Sequence, residues 1–457
     1  MDSQKTISLI LAFILTFPVT KFSVADVPVP ISMPPSKFSG GIPPQMPIVF
    51  PPSLPPLPLP SLPPYPGEEP PPTPTTISPT VPVTPSPPSP QMPIAFPPSP
   101  VPTPSLSRGI KGAYWPSWLA QSLPPSSIPT SYFTHIFYAF VIPDATSFQL
   151  LINRFDEQWM VPFTSALHTA TPSSKALLSI GGGSGQSFSD IFSSMVRNPD
   201  NRAAFIQSSI DTARKYFFDG LDLDWEFPNN PLDMSNLAIL LKEWRTSINQ
   251  ESLTSGKPRL LLSSAVYFSS DVSLDNVART YPGDSIRSFV DFVNPMCYDY
   301  RGGWDTSATG SPALLYDSAS DVSTSYGISQ WKGDGVPAKK IVMGMPAYGH
   351  TWQLQDPNRH GIGDPAVGTG PGGGVMNYSD ILEFNSANNA TVVFDNATVS
   401  TYSYTGTSWI GYDDTISVEY KVKFAKAQGL GGYFFWALGS DSNWTLARTA
   451  STAWDTA

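Results

Sequence analysis

Four acidic residues lie within eight positions near the middle of the chain, in a run that is otherwise apolar. The run reads Asp219, Gly220, Leu221, Asp222, Leu223, Asp224, Trp225 and Glu226. In a β-strand successive side chains point to opposite faces, so Asp222, Asp224 and Glu226 share one face. Carboxylates this close cannot all ionise freely, and the pKa of at least one of them should rise. A protonated acid beside an ionised neighbour suits the cleavage of a glycosidic bond.

The same run could instead be a half-exposed strand whose carboxylates are solvated. Its flanks favour a buried strand or a cleft, because aromatic residues stand on both sides. These are Tyr216, Phe217 and Phe218 before the run and Phe227 after it. Large aromatic side chains are mostly buried in folded proteins.

The spacing of Asp219, Asp222, Asp224 and Glu226 matches the DxxDxDxE signature of glycoside hydrolase family 18, the family of the chitinases. From about residue 111 to residue 454 the chain resembles the plant class V branch of that family. This resemblance implies an enzyme that hydrolyses β-1,4 bonds between N-acetylglucosamine units.

The residues alone leave inverting and retaining hydrolysis open, because no second carboxylate is placed as a nucleophile. The resemblance implies substrate-assisted retention, in which Glu226 protonates the leaving oxygen while the substrate's own N-acetyl carbonyl attacks the anomeric carbon. It also implies that Asp224 orients the acetamido group and stabilises its developing charge, and that Asp222 tunes Asp224. Asp219 is expected to be structural.

Other segments match further motifs of the same family. Met296, Tyr298 and Asp299 match the MxYD motif, where Tyr298 would hold the acetamido oxygen and Asp299 would contact the distorted sugar. Trp436 matches the aromatic floor beneath that sugar. The remaining candidate substrate-binding residues are Met296, Tyr114 and Trp352.

Three places depart from the plant pattern near the expected groove. Arg301 stands where an aromatic residue is common, Ala437 stands where histidine is common, and residues 346–352 form a variant of a more aromatic segment. The preferred substrate therefore stays open among long chitin, short oligomers and a lipid-modified chito-oligosaccharide.

The composition divides the chain into two unlike parts. Of its 52 prolines, 32 fall between Asp26 and Ser105, which predicts polyproline II conformation without a packed core. The remaining stretch of roughly 350 residues is long enough for one large enzyme domain. The formal net charge of −10 argues against nucleic acid or an anionic membrane as a partner and suits a neutral polymer.

The first 25 residues have the features of a signal peptide. Lys5 precedes an apolar run from Ile7 to Val19, and small residues at Ser23 and Ala25 predict cleavage after Ala25. We therefore expect a secreted protein of the extracellular space or cell wall.

Residues 26–107 form the proline-rich segment, in which residues 45–53 recur with one change as residues 91–99. It is interpreted as a spacer grown by duplication or as a contact to cell-wall polymers.

After Lys111, short apolar runs alternate with helical stretches, which predicts a (β/α)₈ TIM barrel over residues 108–457. The predicted strands are residues 112–118, 134–141, 175–182, 220–227, 259–267, 290–300, 340–348 and 430–438. The connection between the last two, about residues 349–418, is too long for an ordinary loop and predicts a small α+β insertion.

We expect no metal and no other cofactor. The single cysteine, Cys297, is interpreted as a core thiol, and the four histidines show no spacing typical of a metal site. The chain is expected to act as a monomer. Four sequons predict N-glycosylation, at Asn377, Asn389, Asn396 and Asn443.

Two functions of different classes fit this sequence. The first is a chitinase, and the alternative is a chitin-binding lectin or sensor that has lost turnover on the same scaffold. The presence of Glu226 together with Asp222 and Asp224 favours the enzyme. A hydrolase of N-glycan cores is disfavoured by Met296 and Tyr298.

Overall fold

The structure is a computed structural model that describes residues 109–183 and 186–456 of the chain. The predicted signal peptide (1–25) and proline-rich segment (26–107) lie outside these residues. Among the described residues, no helix combines the length and the apolar character that crossing a membrane requires.

The strands, in chain order, are β1 (Ile110–Pro116), β2 (His135–Pro143), β3 (Leu150–Leu151), β4 (Lys175–Gly181), β5 (Gly220–Asp224), β6 (Leu261–Tyr267), β7 (Asp271–Leu274), β8 (Val277–Thr280), β9 (Phe292–Met296), β10 (Val342–Pro346), β11 (Tyr348–Leu354), β12 (Ala366–Thr369), β13 (Val375–Asn377), β14 (Thr391–Asp395), β15 (Ser400–Thr405), β16 (Ser408–Tyr412) and β17 (Gly432–Trp436). The α-helices are α1 (Arg154–Thr169), α2 (Gln186–Arg197), α3 (Pro199–Lys215), α4 (Pro231–Ser255), α5 (Gly283–Phe289), α6 (Thr324–Gly333), α7 (Tyr378–Ala387), α8 (Thr415–Ala427) and α9 (Thr445–Asp455).

Eight parallel strands form the predicted barrel. Neighbouring strands follow the order β10, β17, β1, β2, β4, β5, β6 and β9, and a parallel bridge between Val293 and Ile341 brings the two ends of this series together. The prediction of a (β/α)₈ barrel is confirmed. The carboxyl ends of all eight strands meet at one mouth, where such barrels carry their sites.

The barrel strands are shorter than the apolar runs in the sequence suggested. The run predicted as 220–227 ends as a strand at Asp224, and the run predicted as 290–300 ends at Met296. The apolar character continues because the loops at the mouth are themselves packed. Trp225, for example, is 2% exposed and stacks on Phe192 with ring centroids 5.7 Å apart.

Helix α4 covers the outside of the barrel with an apolar face. In α4 the residues at helical spacing are all buried, namely Leu237, Leu240, Leu241, Trp244 and Ile248. Asn230 begins this helix by accepting a hydrogen bond from the Asp233 amide, and Gly256 ends it in a left-handed conformation that suits glycine.

Strand β5 separates two apolar layers, because its side chains alternate between the faces of the barrel wall. Leu221 and Leu223 belong to the layer between the strands and the helices. The interior of the barrel holds a second cluster that includes Tyr114, Phe137 and Phe434. Asp222 therefore points into the interior, next to this apolar cluster.

An α+β insertion lies between β10 and β17, as predicted. Its antiparallel strands follow the order β12, β11, β16, β15 and β14, with β13 on the other part of β11, and helix α7 packs beside them. Trp352, Leu354 and Trp409 form its small core. The antiparallel strands end at Tyr412, and Val418 already lies in α8.

Candidate active site

Three of the four predicted acidic residues lie in β5 or directly after it. Asp222 is inside the strand, Asp224 is its last residue, and Glu226 follows two residues later. Asp219 lies before the strand, at the opposite end, where it bonds His168, Lys175 and the Ala176 amide. Asp224 and Glu226 therefore stand at the mouth of the barrel, and Asp222 lies in the interior next to them.

Asp222 is fully buried and accepts hydrogen bonds from three hydroxyl groups. Its Oδ2 atom lies 2.9 Å from the Tyr114 hydroxyl and 2.8 Å from Ser179 Oγ, and its Oδ1 atom lies 2.7 Å from Ser263 Oγ. The two serines are its partners in register on β4 and β6. Burial raises the pKa of Asp222, while the hydroxyl groups partly offset this by stabilising the carboxylate.

Asp224 is only 4% exposed, and its Oδ1 atom accepts no hydrogen bond from the described residues. Burial raises its pKa well above the ordinary value, and the charges of Glu226 and Asp222 raise it further. Asp222 has hydroxyl partners for its charge, whereas Asp224 lacks them on this oxygen. The unpartnered oxygen is free to bind a polar group of a ligand.

Glu226 is half-buried at the mouth. Burial, followed by the negative charge of Asp299, raises the pKa of Glu226 to about 8. At neutral pH its carboxyl group is therefore mostly protonated and can act as an acid. The expectation that crowded carboxylates hold a proton agrees with these directions.

Asp299 connects the barrel to the insertion. It follows β9 in a left-handed conformation with φ 58°, and its Oδ1 atom accepts a hydrogen bond of 2.8 Å from the Tyr348 hydroxyl. The Nε2 atom of His350 lies 2.8 Å from the same oxygen, and the other ring nitrogen lies 3.3 Å from the Gly374 carbonyl oxygen. Strand β11 thus supplies two partners to a carboxylate of the barrel.

Tyr348 and His350 were not among the predicted site residues. Within the segment 346–352, which departs from the plant pattern, only Trp352 was predicted to bind substrate, and nothing in the spacing of the segment relates it to Asp299, about 50 positions away. Ser179, Ser263 and Asn294 were also not predicted as site residues, although each lies within a barrel strand and bonds Asp222 or Tyr114 inside the barrel.

Tyr298 lies beside these carboxyl groups. Burial and then the charges of Asp224, Glu226 and Asp299 raise its pKa well above the ordinary value for tyrosine. The phenol is therefore neutral and available as a hydrogen-bond donor.

A row of aromatic rings leads from the acids to the surface. Trp436 is half-buried at the end of β17, and its ring stacks on Phe140 at 5.5 Å and meets the edge of Tyr114 at 5.7 Å. Phe140 lies 6.5 Å from Trp118, which is 47% exposed. Phe140 and Trp118 were missed by the sequence analysis, although both stand near the carboxyl ends of predicted strands.

Trp352 lies apart from this group, which corrects its assignment to substrate binding. It is 0% exposed, stacks edge-on against Trp409 and donates a hydrogen bond of 2.9 Å to the Asp305 carbonyl oxygen. Its side chain shares a face of β11 with His350, because residues two apart in a strand point the same way, but it lies farther along the strand, against Trp409 in the core of the insertion. Tyr114 is 2% exposed, and its hydroxyl bonds Asp222 inside the barrel. Met296 is half-buried at the end of β9.

The other predicted features are distributed over the surface and core. The four asparagines of the sequons are all exposed. Cys297 is 1% exposed, and burial raises its pKa to about 12, so the thiol is inert. Within the described ranges, no group of three histidine, cysteine or acidic side chains is arranged to hold a metal ion.

Comparisons with known proteins agree with this geometry. Residues 111–441 match the family model of the glycosyl hydrolases family 18. A class V chitinase of Lotus japonicus is 51% identical over 353 residues, which cover 77% of this chain and 87% of that protein.

Two solved structures are similar over the same region. A chitinase of Cycas revoluta in complex with (GlcNAc)₃ is 41% identical, with a TM-score of 0.72, and the match covers 76% of this chain and 99% of that chain. A chitinase-like agglutinin from Robinia pseudoacacia is also 41% identical, with a TM-score of 0.70 and the same coverage. Enzymes and a protein named for agglutination thus share this fold.

Proposed function

This chain belongs to the glycosyl hydrolases family 18, and we propose that it hydrolyses the β-1,4 bonds of chitin or its oligomers by substrate-assisted retaining catalysis. The observation that carries the proposal is the state of Glu226. It is a half-buried acid at the mouth of the barrel, and its pKa is raised to about 8.

Glu226 acts first as the acid. Its proton goes to the glycosidic oxygen, and the bond between that oxygen and the anomeric carbon breaks. The carbonyl oxygen of the substrate's own acetamido group bonds to the same carbon from the opposite side, which gives an oxazolinium ion. The carboxylate of Glu226 then takes a proton from the water that opens this ring, and the sugar keeps its configuration.

Asp224 binds the acetamido group. Its unpartnered Oδ1 atom accepts the hydrogen bond of the acetamido N–H, and its charge stabilises the oxazolinium ion as that ion forms. Asp222, fixed by Tyr114, Ser179 and Ser263, controls how readily Asp224 carries this charge.

The remaining residues hold the sugar in place. Tyr298 donates a hydrogen bond to the acetamido oxygen, and Asp299, held by Tyr348 and His350, contacts the distorted ring. Trp436 provides an aromatic face beneath that ring. Stacking on an aromatic face suits a pyranose, whose C–H groups form an apolar surface.

The full chain has three parts in this proposal: a signal peptide at 1–25, a proline-rich spacer at 26–107 and a catalytic domain at 108–457. The catalytic domain acts outside the cell as a monomer, and the spacer contacts cell-wall polymers. The support for this arrangement is the composition of the sequence and the presence of four sequons.

The test is to incubate the mature chain, and a second protein limited to residues 108–457, with N-acetylglucosamine oligomers and a lipid-modified chito-oligosaccharide. Chromatography of the products should show cleavage with initial retention of the β-anomer by both proteins. Tight binding of oligomers without any cleavage would reject the enzyme and support the lectin. Cleavage by the full chain alone would reject the role of the proline-rich part as a spacer.

A further inference from the structure

A cluster of aromatic side chains lies on the outer surface, at the junction of the insertion and α8. Phe394 of β14 stacks on Tyr420 of α8 with ring centroids 5.7 Å apart and an angle of 28° between the planes. Tyr316 meets Phe424 of α8 edge-on at 6.0 Å. Tyr420 is 46% exposed and Tyr316 is 44% exposed, so these rings cover one another only in part. We call these four residues the surface aromatic cluster.

The turn between β14 and β15 stands against this cluster. It comprises residues 396–399, between the paired residues Asp395 and Ser400. Its carbonyl oxygen at Thr398 accepts hydrogen bonds from the amides of Leu315, at 2.8 Å, and Tyr316, at 3.4 Å. The turn is therefore fixed between Phe394, which precedes it, and Tyr316, which its backbone contacts.

Asn396 is the first residue of this turn and the acceptor of a sequon completed by Thr398. It is exposed, and it follows Phe394 by two positions. Only one residue separates Asn396 from Phe394, and Thr398 of the same turn bonds the amides of Leu315 and Tyr316, so a group attached to Asn396 lies within reach of the surface aromatic cluster. The Thr398 side chain is ordered by Asp395, whose Oδ2 atom accepts its hydroxyl at 2.5 Å and its amide at 2.9 Å.

No aromatic residue stands two positions before the acceptor in the other three sequons. The residue two positions before the acceptor is Val375 for Asn377, Ala387 for Asn389 and Asp441 for Asn443. The amide of Asn377 is also engaged, because its Nδ2 atom donates to Asp380 at 2.9 Å and its Oδ1 atom accepts from Ser440 at 2.9 Å.

We propose that Asn396 carries an N-linked glycan whose first N-acetylglucosamine packs on the surface aromatic cluster. A transferase of the secretory pathway forms the bond between Nδ2 of Asn396 and the anomeric carbon of a sugar donated by a lipid-diphosphate oligosaccharide. The bond from that carbon to the diphosphate oxygen breaks, its electron pair leaves with the lipid diphosphate, and the amide loses one proton.

The packed sugar explains why the rings are exposed. The two ring pairs meet α8 one helical turn apart, at Tyr420 and Phe424, and together they offer an apolar surface that another group can cover. The C–H face of the first sugar offers an apolar surface of the size of one ring, and attachment at Asn396 keeps it beside Phe394 and Tyr420. The glycan thereby shields the hairpin and restrains its opening.

The test uses the full chain, secreted from insect cells behind a supplied leader so that it passes the glycosylation machinery. Peptide mapping by mass spectrometry should find Asn396 occupied in nearly every molecule. The glycan should also resist removal by a glycan amidase under native conditions, about tenfold more slowly than from a denatured sample.

Tyr420→Ala isolates the contact, because this exposed side chain can be shortened without opening the core. The rate of native deglycosylation at Asn396 should rise about tenfold in this variant. The deglycosylation rate at Asn389 is the control for Tyr420→Ala and should stay unchanged, because Asn389 is exposed and has Ala387, not an aromatic residue, two positions before it. Asn389→Gln is the matched control for Asn396→Gln. The Tm should fall by about 1–2 °C in Asn396→Gln and by less when Tyr420→Ala is already present.

An empty Asn396 in a secreted molecule would overturn the proposal. So would an occupied Asn396 whose deglycosylation rate is unaffected by Tyr420→Ala, because the rings would then serve another partner. Both results are independent of chitin hydrolysis, which the site at the barrel mouth determines.

Discussion

The Nε2 atom of His350 lies 2.8 Å from Oδ1 of Asp299, so a residue of the insertion contacts a carboxylate of the barrel mouth. The ring of His350 is 2% exposed and stands between this carboxylate and the Gly374 carbonyl oxygen, both of which are acceptors. The contact therefore joins two parts of the fold at the place where the substrate is expected to bind.

His350→Phe should lower kcat/KM for N-acetylglucosamine oligomers by about tenfold, because Asp299 loses a hydrogen bond to a charged group worth about 1.5 kcal/mol. His350→Gln can still donate to Asp299 and should recover part of the loss. Steady-state kinetics of the two variants check this expectation. Equal kcat/KM for His350→Phe and the unmodified protein would show that the contact has no part in binding or catalysis.

Glu226→Gln should abolish hydrolysis and leave oligomer binding largely intact. An amide keeps the shape of the side chain, but it cannot donate the proton that the leaving oxygen requires. Product analysis and calorimetric titration with a short oligomer measure the two properties separately. Turnover near the level of the unmodified protein would refute the role of Glu226 as the acid.

The pH dependence of activity should also report Glu226. Its raised pKa of about 8 means that the required protonated form is lost as the pH rises through about 8, so activity should fall in that range. Asp299→Asn removes a negative charge that raises this pKa, and the basic limb should move to lower pH. The profile of kcat/KM against pH measures the shift, whatever the variant's absolute rate. A limb that stays in place would exclude this electrostatic contribution of Asp299.

Asp224→Asn should reduce kcat by roughly a hundredfold or more, which is the size of the effect when a group that stabilises transition-state charge is removed. The amide cannot balance the positive charge of the oxazolinium ion. Asp224 makes few hydrogen bonds in the folded protein, so its replacement should leave the Tm close to that of the unmodified protein. An unchanged kcat in a folded variant would mean that another group supports the acetamido substituent.

Trp436→Ala should raise KM and lower kcat together, because stacking acts on the bound sugar and again on its distorted form in the transition state. If Trp436 only fills space beside Phe140, the variant would instead lose about 3–5 kcal/mol of stability and keep normal kinetics per folded molecule. Thermal melting and active-site titration distinguish the two results. Normal kinetics with a large loss of Tm would identify Trp436 as a packing residue.

The sequence by itself determined the class of fold and the central acids. Strands have a period of two, so Asp222 and Asp224 had to point into the barrel while Leu221 and Leu223 faced the helices. The alternation of eight apolar runs with helical stretches required a parallel barrel, and a parallel barrel brings the ends of its strands to one mouth.

Only the tertiary structure decided which residues surround those acids. Ser179 and Ser263 meet Asp222 through strand register, and Tyr348 and His350 meet Asp299 through the fold of an insertion that begins nearly 50 positions later. Such contacts depend on how distant segments pack, and the local periodicity of the sequence does not determine that packing. For the same reason Trp352 could be assigned to the groove from the sequence, whereas its pairing with Trp409 of β16 places it in the core of the insertion.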